Sequence, residues 1–336
     1  MYALFINQAM LIPPKYNLNS KITQLLNSIE GSREVIETVT IPPEIEINIR
    51  RQSTLKSALY SARVEGNTLT EEELTKSSST QKKLEVMNIL KAMQYINQKR
   101  NRDLTSSEIL EFHKLAMKGL QGEAELGKFR RNMEAIFNSA GIAIYMPPPP
   151  RLIAGQIEKL IKYINSDREK LIPIKASLAH FSFEKIHPFL DGSGRVGRLL
   201  MQKILIQGGY GMKGLLSLEE YIDNNRSEYY RMLEEPEKDT TDYLVFMLGA
   251  IDQTAQKAKD LILQKQTAEV SDYLLPRRGE IYKIIKDQKI VNFDQIKRRF
   301  SKINGRTLRY DLKQLQNQGL IRKLGTTRGV YYERSS

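Results

Sequence analysis

Apolar residues recur along most of this chain at steps of three and four, the spacing of one face of a helix. Between Glu44 and Tyr60 they fall at Ile45, Ile49, Leu55 and Leu59, just after Pro42 and Pro43, a pair suited to a helix start. Thr70 followed by Glu71, Glu72 and Glu73 is an N-cap with acid in the first turn. Leu84, Met87, Leu90, Met93 and Ile96 predict one long amphipathic helix over 80–99. Thr105-Ser106-Ser107-Glu108 has the form of a capping box opening a helix through Met117. Helical patterns resume at 152–166, 174–186, 195–207, 218–234 and 240–265. The exception is Gly119–Pro150, with Gly, Asn, an Ile142/Ile144 alternation and four consecutive Pro. It predicts a loop or small hairpin ending in a stiff polyproline segment.

The pattern changes in kind near 265–276. Helical spacing at 277–287, 292–300 and 305–318 is followed by Leu320–Leu324, a Gly/Thr turn, and Val330-Tyr331-Tyr332. Three short helices and a hairpin outline a winged helix-turn-helix. The expected organisation is an N-terminal helical region over 1–79, a helical body over 80–265 and a tail domain over 272–336.

Charge sharpens that division. The chain carries +13, and the 272–336 tail holds sixteen Lys and Arg against six Asp and Glu, or +10. The body is therefore close to neutral, and the tail is basic enough to meet a polyanion. Arg306, Arg309 and Lys313 lie off the Leu308/Leu312/Leu315 stripe, as on a recognition helix, and Arg322, Lys323 and Arg328 decorate the wing. A solvated basic face on a dimerisation or docking domain has the same pattern. With no Cys among 336 residues, disulfides, thiol nucleophiles and thiolate metal sites are excluded, and three His are too few for an ordinary zinc site. No apolar run approaches the roughly 20 residues of a membrane span, and the N-terminus lacks signal-peptide features. The expectation is a soluble, cytoplasmic chain with no membrane partner.

The densest chemistry lies in His187-Pro188-Phe189-Leu190-Asp191-Gly192-Ser193-Gly194-Arg195-Val196-Gly197-Arg198, between two helical patterns. The small residues let backbone approach a ligand, and the helix that follows offers unpaired N–H groups and the positive end of its dipole. Arg195 and Arg198 can fork onto phosphate oxygens. Asp191 can hold a hydrated Mg²⁺ through one oxygen, and His187 can take a proton from a hydroxyl near pH 7. Gly192-x-Gly194-x-x-Gly197 also matches a dinucleotide fingerprint, with Glu219 or Glu220 some twenty residues on. That fingerprint must follow a buried strand, which His180–Ile186 does not resemble.

This run resembles the signature of the Fic family, His-x-Phe-x-(Asp/Glu)-Gly-Asn-Gly-Arg-x-x-Arg, and the similarity extends over about 80–235. The resemblance implies an all-α Fic fold with a small β-hairpin flap, followed here by the α+β winged helix. It implies a protein adenylyltransferase that moves AMP from ATP, with Mg²⁺, to Ser, Thr or Tyr hydroxyls of target proteins. His187 would be the base and Asp191 the metal ligand. Gly192, Ser193, Gly194, Arg195, Val196, Gly197 and Arg198 would bind the nucleotide phosphates, with Tyr229 lining the pocket and Phe189 anchoring the loop. Glu134, Ala135, Ile136 and Phe137 would form the flap that aligns a target strand. Ser193 departs from the family's Asn; its hydroxyl can still donate to a phosphate, with less reach. Gly194 is kept where phosphate-transferring relatives carry Lys.

Ser61-Ala62-Arg63-Val64-Glu65-Gly66-Asn67 resembles the family's inhibitory motif, (Ser/Thr)-x-x-x-Glu-(Gly/Asn). Ser61 and Glu65 share a helix face, and Gly66 or Asn67 suits the helix end. Glu65 there can pair with Arg198 where the γ-phosphate belongs. Two other functions stay open: a nucleotide-sensing DNA-binding regulator, and a bifunctional enzyme that also removes AMP through Glu65. An intact His187 speaks against a pure sensor. Self-modification, homodimerisation and DNA binding by the tail stay open as well.

Overall fold

The computed structural model describes residues 10–75, 80–99, 103–137, 143–266, 274–325 and 329–335. The chain forms two compact units, residues 1–38 with 49–261, and residues 39–48 with 262–336.

In the larger unit the helices are α1 (Ser20–Thr38), α2 (Pro43–Val64, from Ile49 onward), α3 (Glu71–Thr75), α4 (Gln81–Gln98) and α5 (Ser106–Met117). A hairpin of β1 (Ile136–Phe137) and β2 (Ala143–Tyr145) interrupts the series, pairing Ile136 with Tyr145 and Phe137 with Ala143. Then follow α6 (Pro150–Ile164), α7 (Ile172–Ile186), α8 (Ser193–Gln207), α9 (Leu218–Asn224), α10 (Arg226–Leu233) and α11 (Thr241–Gln266). The axis of this unit is α7, buried on every side from Pro173 to Ile186. It packs chiefly against α8, and the short 187–192 connection makes the two an antiparallel pair.

Four details differ from the sequence reading. It assigns no element to α1, whose buried stripe of Ile22, Leu25, Ile29, Ser32 and Ile36 is diluted by Ser32 and the neighbouring Gly31. The buried face of α4 runs through Val86, Ile89, Met93 and Ile96, while Met87 is 42% exposed. A strict three-residue step drifts off a 3.6-residue helix. Thr105 caps α5 by accepting from Glu108 N–H at 3.2 Å, but the Glu108 carboxylate turns to buried Lys203 (3.4 Å) instead of closing the box. The single helix expected over 218–234 breaks at Asn225 (φ −119°, ψ 33°). The Asn225 N–H and side chain both bond to the Tyr221 carbonyl, a local alternative to continuing the helix.

The smaller unit holds α12 (Pro276–Gln288), β3 (Ile290–Asn292), α13 (Phe293–Arg299), α14 (Gly305–Asn317), β4 (Ile321–Leu324) and β5 (Tyr331–Arg334). Its sheet is antiparallel in the order β3-β5-β4, so a third strand joins the expected hairpin. The Ile290-Val291 pair is too short to read as a strand until β5 supplies its partner. Ile281, Ile285, Val291, Ile296, Leu308, Leu312, Leu315 and Tyr332 form the core. Arg328 lies outside the described residues. Among the described residues no helix is long and apolar enough to cross a membrane.

Candidate active site

His187 ends α7 in the left-handed region (φ 44°, ψ 65°), with its N–H donating to the Phe183 carbonyl at 3.0 Å. A non-glycine residue there costs on the order of 1–3 kcal/mol and persists only when neighbours hold it. One side of the hold is Arg130, whose Nε donates to the His187 carbonyl at 2.8 Å while its N–H donates to that of Pro188 at 2.9 Å. On the other side the loop closes over His113. The His113 ring stacks on Phe189 at 3.9 Å, Nδ1 accepts from Gly127 N–H (2.9 Å), and Nε2 therefore donates to the Asp191 carbonyl (3.0 Å). Gly192 takes φ +84°, and a Cβ there would press on Met117 Sδ at 2.7 Å, so only glycine fits. Phe189 is fully buried. Ser193 is turned away from any phosphate: its hydroxyl accepts from Phe189 N–H (3.0 Å) and donates to the Phe189 carbonyl (3.1 Å). The expected hydroxyl-to-phosphate bond is replaced by a brace within the loop.

Gly192 has no side chain to cap α8, and Gly194 in the first turn lines a cavity of about 730 Å³. Glu65, His187, Gly194, Arg198, Ile136 and Tyr230 all reach this cavity, and Tyr229 forms part of its buried wall. The structure thus gathers residues from α2, the flap, α7, α8 and α10 at one place. Of the flap residues, Ile136 lines the cavity, whereas Glu134 lies 3.4 Å from Arg130 Nε. Ala135 sits between them, and Phe137 pairs with Ala143 in the hairpin. Gly197 and Val196 are buried in α8; a Cβ on Gly197 would overlap the Glu184 carboxyl.

Both signature arginines are occupied. Arg195 donates from Nη1 to Glu85 (2.6 Å) and from Nη2 to Asp191 Oδ1 (2.6 Å). Arg198 donates from Nε to the Ser61 hydroxyl (3.0 Å) and from Nη2 to the Ser61 carbonyl (2.9 Å) and Glu65 Oε1 (2.8 Å). The Glu65 carboxylate lies so close over Gly194 that a Cβ there would overlap it. The end of α2 is fixed by Gly66 N–H on the Arg63 carbonyl (2.8 Å) and Asn67 N–H on that of Ala62 (3.1 Å), with Gly66 at φ +96°. That is a Schellman cap. Asn67 then donates to Glu85 Oε2 (2.8 Å), so Glu85 links the segment after the helix to Arg195. Further pins hold α2: Lys56 to Glu220 (2.8 Å), Arg63 to Asp223 (3.1 Å), and Ser57 to both Gln202 and Glu219.

The charges follow from these contacts. Burial lowers the His187 pKa below its ordinary 6.5, against the upward pull of Glu65 and Asp191, so the ring is neutral at pH 7. Burial pushes the Glu65 carboxyl up, but Arg198 and Arg195 outweigh it and hold the group below 4.5. Deeper in the wall, burial raises Glu184 to about 8, partly offset by Arg198, and lowers His180 to about 3. His180 Nε2 lies 2.9 Å from the Tyr229 hydroxyl. Asp191 is a single carboxylate, 59% exposed, whose second oxygen has no bond among the described residues. That fits a hydrated Mg²⁺ carried in on phosphates, which needs one protein oxygen and not a cage. Among the described residues no cluster of three His, Asp or Glu is placed to enclose a metal.

No role for Arg130, His113 or Glu85 follows from the sequence pattern, and Asn67 is read there only as a helix-end residue. Their only signals are an isolated basic, imidazole, acid or amide in an otherwise ordinary helix or loop, and their partners are up to 110 residues away.

Residues 103–205 of the chain match the Fic/DOC family, the one whose signature the His187–Arg198 run resembles. Protein adenylyltransferase Fic of Drosophila melanogaster and of Drosophila sechellia are each 27% identical over 222 residues, covering 62% of this chain. The match spans 42% of the length of those relatives. A Fic family protein from Desulfovibrio desulfuricans superposes with a TM-score of 0.67 at 22% identity, over 96% of this chain and 98% of that one. A Fic domain containing signaling protein from Bacteroides thetaiotaomicron gives 0.57 at 19% identity, over 74% and 98%. These two likenesses are of fold.

Proposed function

We propose that this chain is a protein adenylyltransferase held in check by its own Glu65. The observation that carries the reading is the Glu65–Arg198 ion pair laid across Gly194 inside the cavity that His187 also lines. A neutral His187 whose Nδ1 is buried has Nε2 to offer a target hydroxyl. The hydroxyl proton passes to His187, and the oxygen forms a bond to the α-phosphorus of ATP. The bond from that phosphorus to the bridging oxygen breaks, and pyrophosphate leaves. The N–H groups at the start of α8 receive the α- and β-phosphates, and Arg195 and Arg198 receive the β- and γ-phosphates. Asp191 would hold Mg²⁺, which when bound neutralises phosphate charge. Target Ser, Thr or Tyr would be presented along the flap edge at Glu134–Phe137 by strand addition. While Glu65 holds Arg198, ATP lacks its γ-phosphate clamp and its α-phosphorus sits out of line.

The test is transfer from α-labelled ATP to extract proteins by the Glu65→Gly chain, repeated with labelled UTP, GTP and CTP. The reading predicts acid-stable label on hydroxyl side chains from the α-position and none from γ-labelled ATP. Label from the γ-position, or from neither, would reject it. Release of label from premodified protein by the wild-type chain, absent with Glu65→Gly, would add AMP removal.

A second reading concerns the tail, and α14 favours it. Its outward face carries Arg306, Arg309, Tyr310, Lys313 and Asn317, all exposed, and its one acid, Asp311, is buried against Arg277 (2.5 Å) and Arg278 (2.9 Å). An acid-free basic face on a helix about 20 Å long suits a DNA major groove, with phosphate contacts from Arg322 and Lys323 on β4. Duplex binding by the full chain should weaken steeply with salt, with a slope reduced by about one per cation removed. Binding that ignores salt, or survives the Arg306→Ala/Arg309→Ala/Lys313→Ala variant, would leave a protein-docking surface.

A further inference from the structure

The geometry points to Arg130 as a positioning residue: we propose that its one guanidinium holds His187 and both ends of the flap in a single frame. This rests on the adenylyltransferase reading, in which His187 is the base and the flap edge receives the target strand.

The Arg130 side chain is fully buried, yet its nearest carboxylate, Glu134, stands 3.4 Å away. Carbonyl oxygens do most of the work of solvating it. Nε donates to His187 (2.8 Å), Nη1 to Asn132 (2.9 Å), and Nη2 to Pro148 (2.6 Å) and, more weakly, Ile186 (3.4 Å). Ile186 and His187 end α7, where a cation also meets the negative end of the helix dipole. Asn132 lies just before β1 and Pro148 just after β2, so the same planar group ties down the entrance and the exit of the flap. Lysine has one nitrogen and no fork, and cannot span these acceptors. Arg130 therefore fixes the relation between the nitrogen that takes the proton and the edge that presents the hydroxyl. A 1 Å error in such a relation costs about 10²-fold in rate.

A merely structural arginine and a positioning one separate in the following experiment. Arg130→Lys and Arg130→Gln are each built on Glu65→Gly, and fold is checked by circular dichroism and melting. The chain's three histidines give an uncrowded ring NMR spectrum, and His187→Asn assigns the His187 signal. The groups acting on that ring besides burial are Glu65, the Glu184 backbone carbonyl and Asp191, which raise its titration, and Arg130, which lowers it. Glu65 is absent in every chain compared. We expect Arg130→Gln to move the His187 midpoint up by about half a pH unit and Arg130→Lys to leave it in place. Both should slow transfer from α-labelled ATP to extract proteins about 10²-fold with ATP affinity within about threefold, and speed amide exchange at Ile136 and Tyr145. The proposal is overturned if folded Arg130→Lys transfers at the parent rate, or if the His187 midpoint and flap exchange match the parent in both variants. Should the Glu65→Gly parent itself transfer nothing, the adenylyltransferase reading falls, and the NMR and exchange results still decide whether Arg130 frames His187 and the flap.

Discussion

The arginines at the start of α8 and the cations along α14 stand in opposite circumstances. Arg195 and Arg198 are 5% and 3% exposed, and each is matched by a carboxylate from a distant segment, Glu85 and Glu65. Arg306, Arg309 and Lys313 are exposed and have no ion pair among the described residues. The difference follows from solvation. A guanidinium enclosed in a cavity must be balanced when no phosphate is present, because an uncompensated buried charge costs several kcal/mol. The balancing carboxylate is then a competitor of the phosphate. A cation in water needs no such partner, and salt alone modulates its attraction for a polyanion. One set of cations is therefore balanced by side chains of the fold and the other by solvent and its ions.

The largest effect that tests this contrast is on chemistry. In Glu65→Gly, replacing His187 by Ala should cut AMP transfer about 10³-fold while ATP still binds, since the clamps remain. Retained transfer would mean that the cavity's cations serve some other reaction. The next is on stability: Arg198→Ala should cost about 2–3 kcal/mol in urea unfolding, because Glu65 is left unpaired although its side chain is 27% exposed. Arg306→Ala should cost less than about 0.5 kcal/mol. Equal costs would erase the comparison. Smaller again, Glu85→Ala should cost about 1–2 kcal/mol, against less than about 0.5 kcal/mol for Glu333→Ala, whose partner Arg322 is 62% exposed. The last concerns pH. Between its ordinary 4.5 and about 8 in the fold, Glu184 holds a proton when folded that it loses when unfolded. Stability therefore falls as pH rises through that window, and Glu184→Gln should flatten the urea midpoint between pH 5 and 8.

Much of this was legible in the chain itself, because the loop is local. His187 through Arg198 are contiguous, and a helix–loop–helix needs only periodicity to be placed. Glu65 was within reach because Ser61-x-x-x-Glu65-Gly66 resembles the family's inhibitory motif; the helical spacing alone fits an ordinary helix end as well. What the sequence did not give away are residues whose meaning is wholly tertiary. Arg130 and His113 act on main-chain oxygens and N–H groups of the loop, which no side-chain pattern encodes. Ser193 could be read as a phosphate donor because its rotamer, turned onto Phe189, is decided by packing. The α9–α10 break failed to register because one Asn is a weak signal within an apolar period, and α1 because its stripe contains Ser32.

The central claim is that Glu65 keeps Arg198 from the γ-phosphate. Its most direct measure is the initial rate of transfer from α-labelled ATP, wild-type against Glu65→Gly, at matched protein and ATP concentrations. The account predicts a rise on the order of 10²-fold, the size of a 2–3 kcal/mol coupling between the two sites. A Glu65→Gly rate equal to the wild-type rate, in a chain that binds ATP and melts normally, would contradict it.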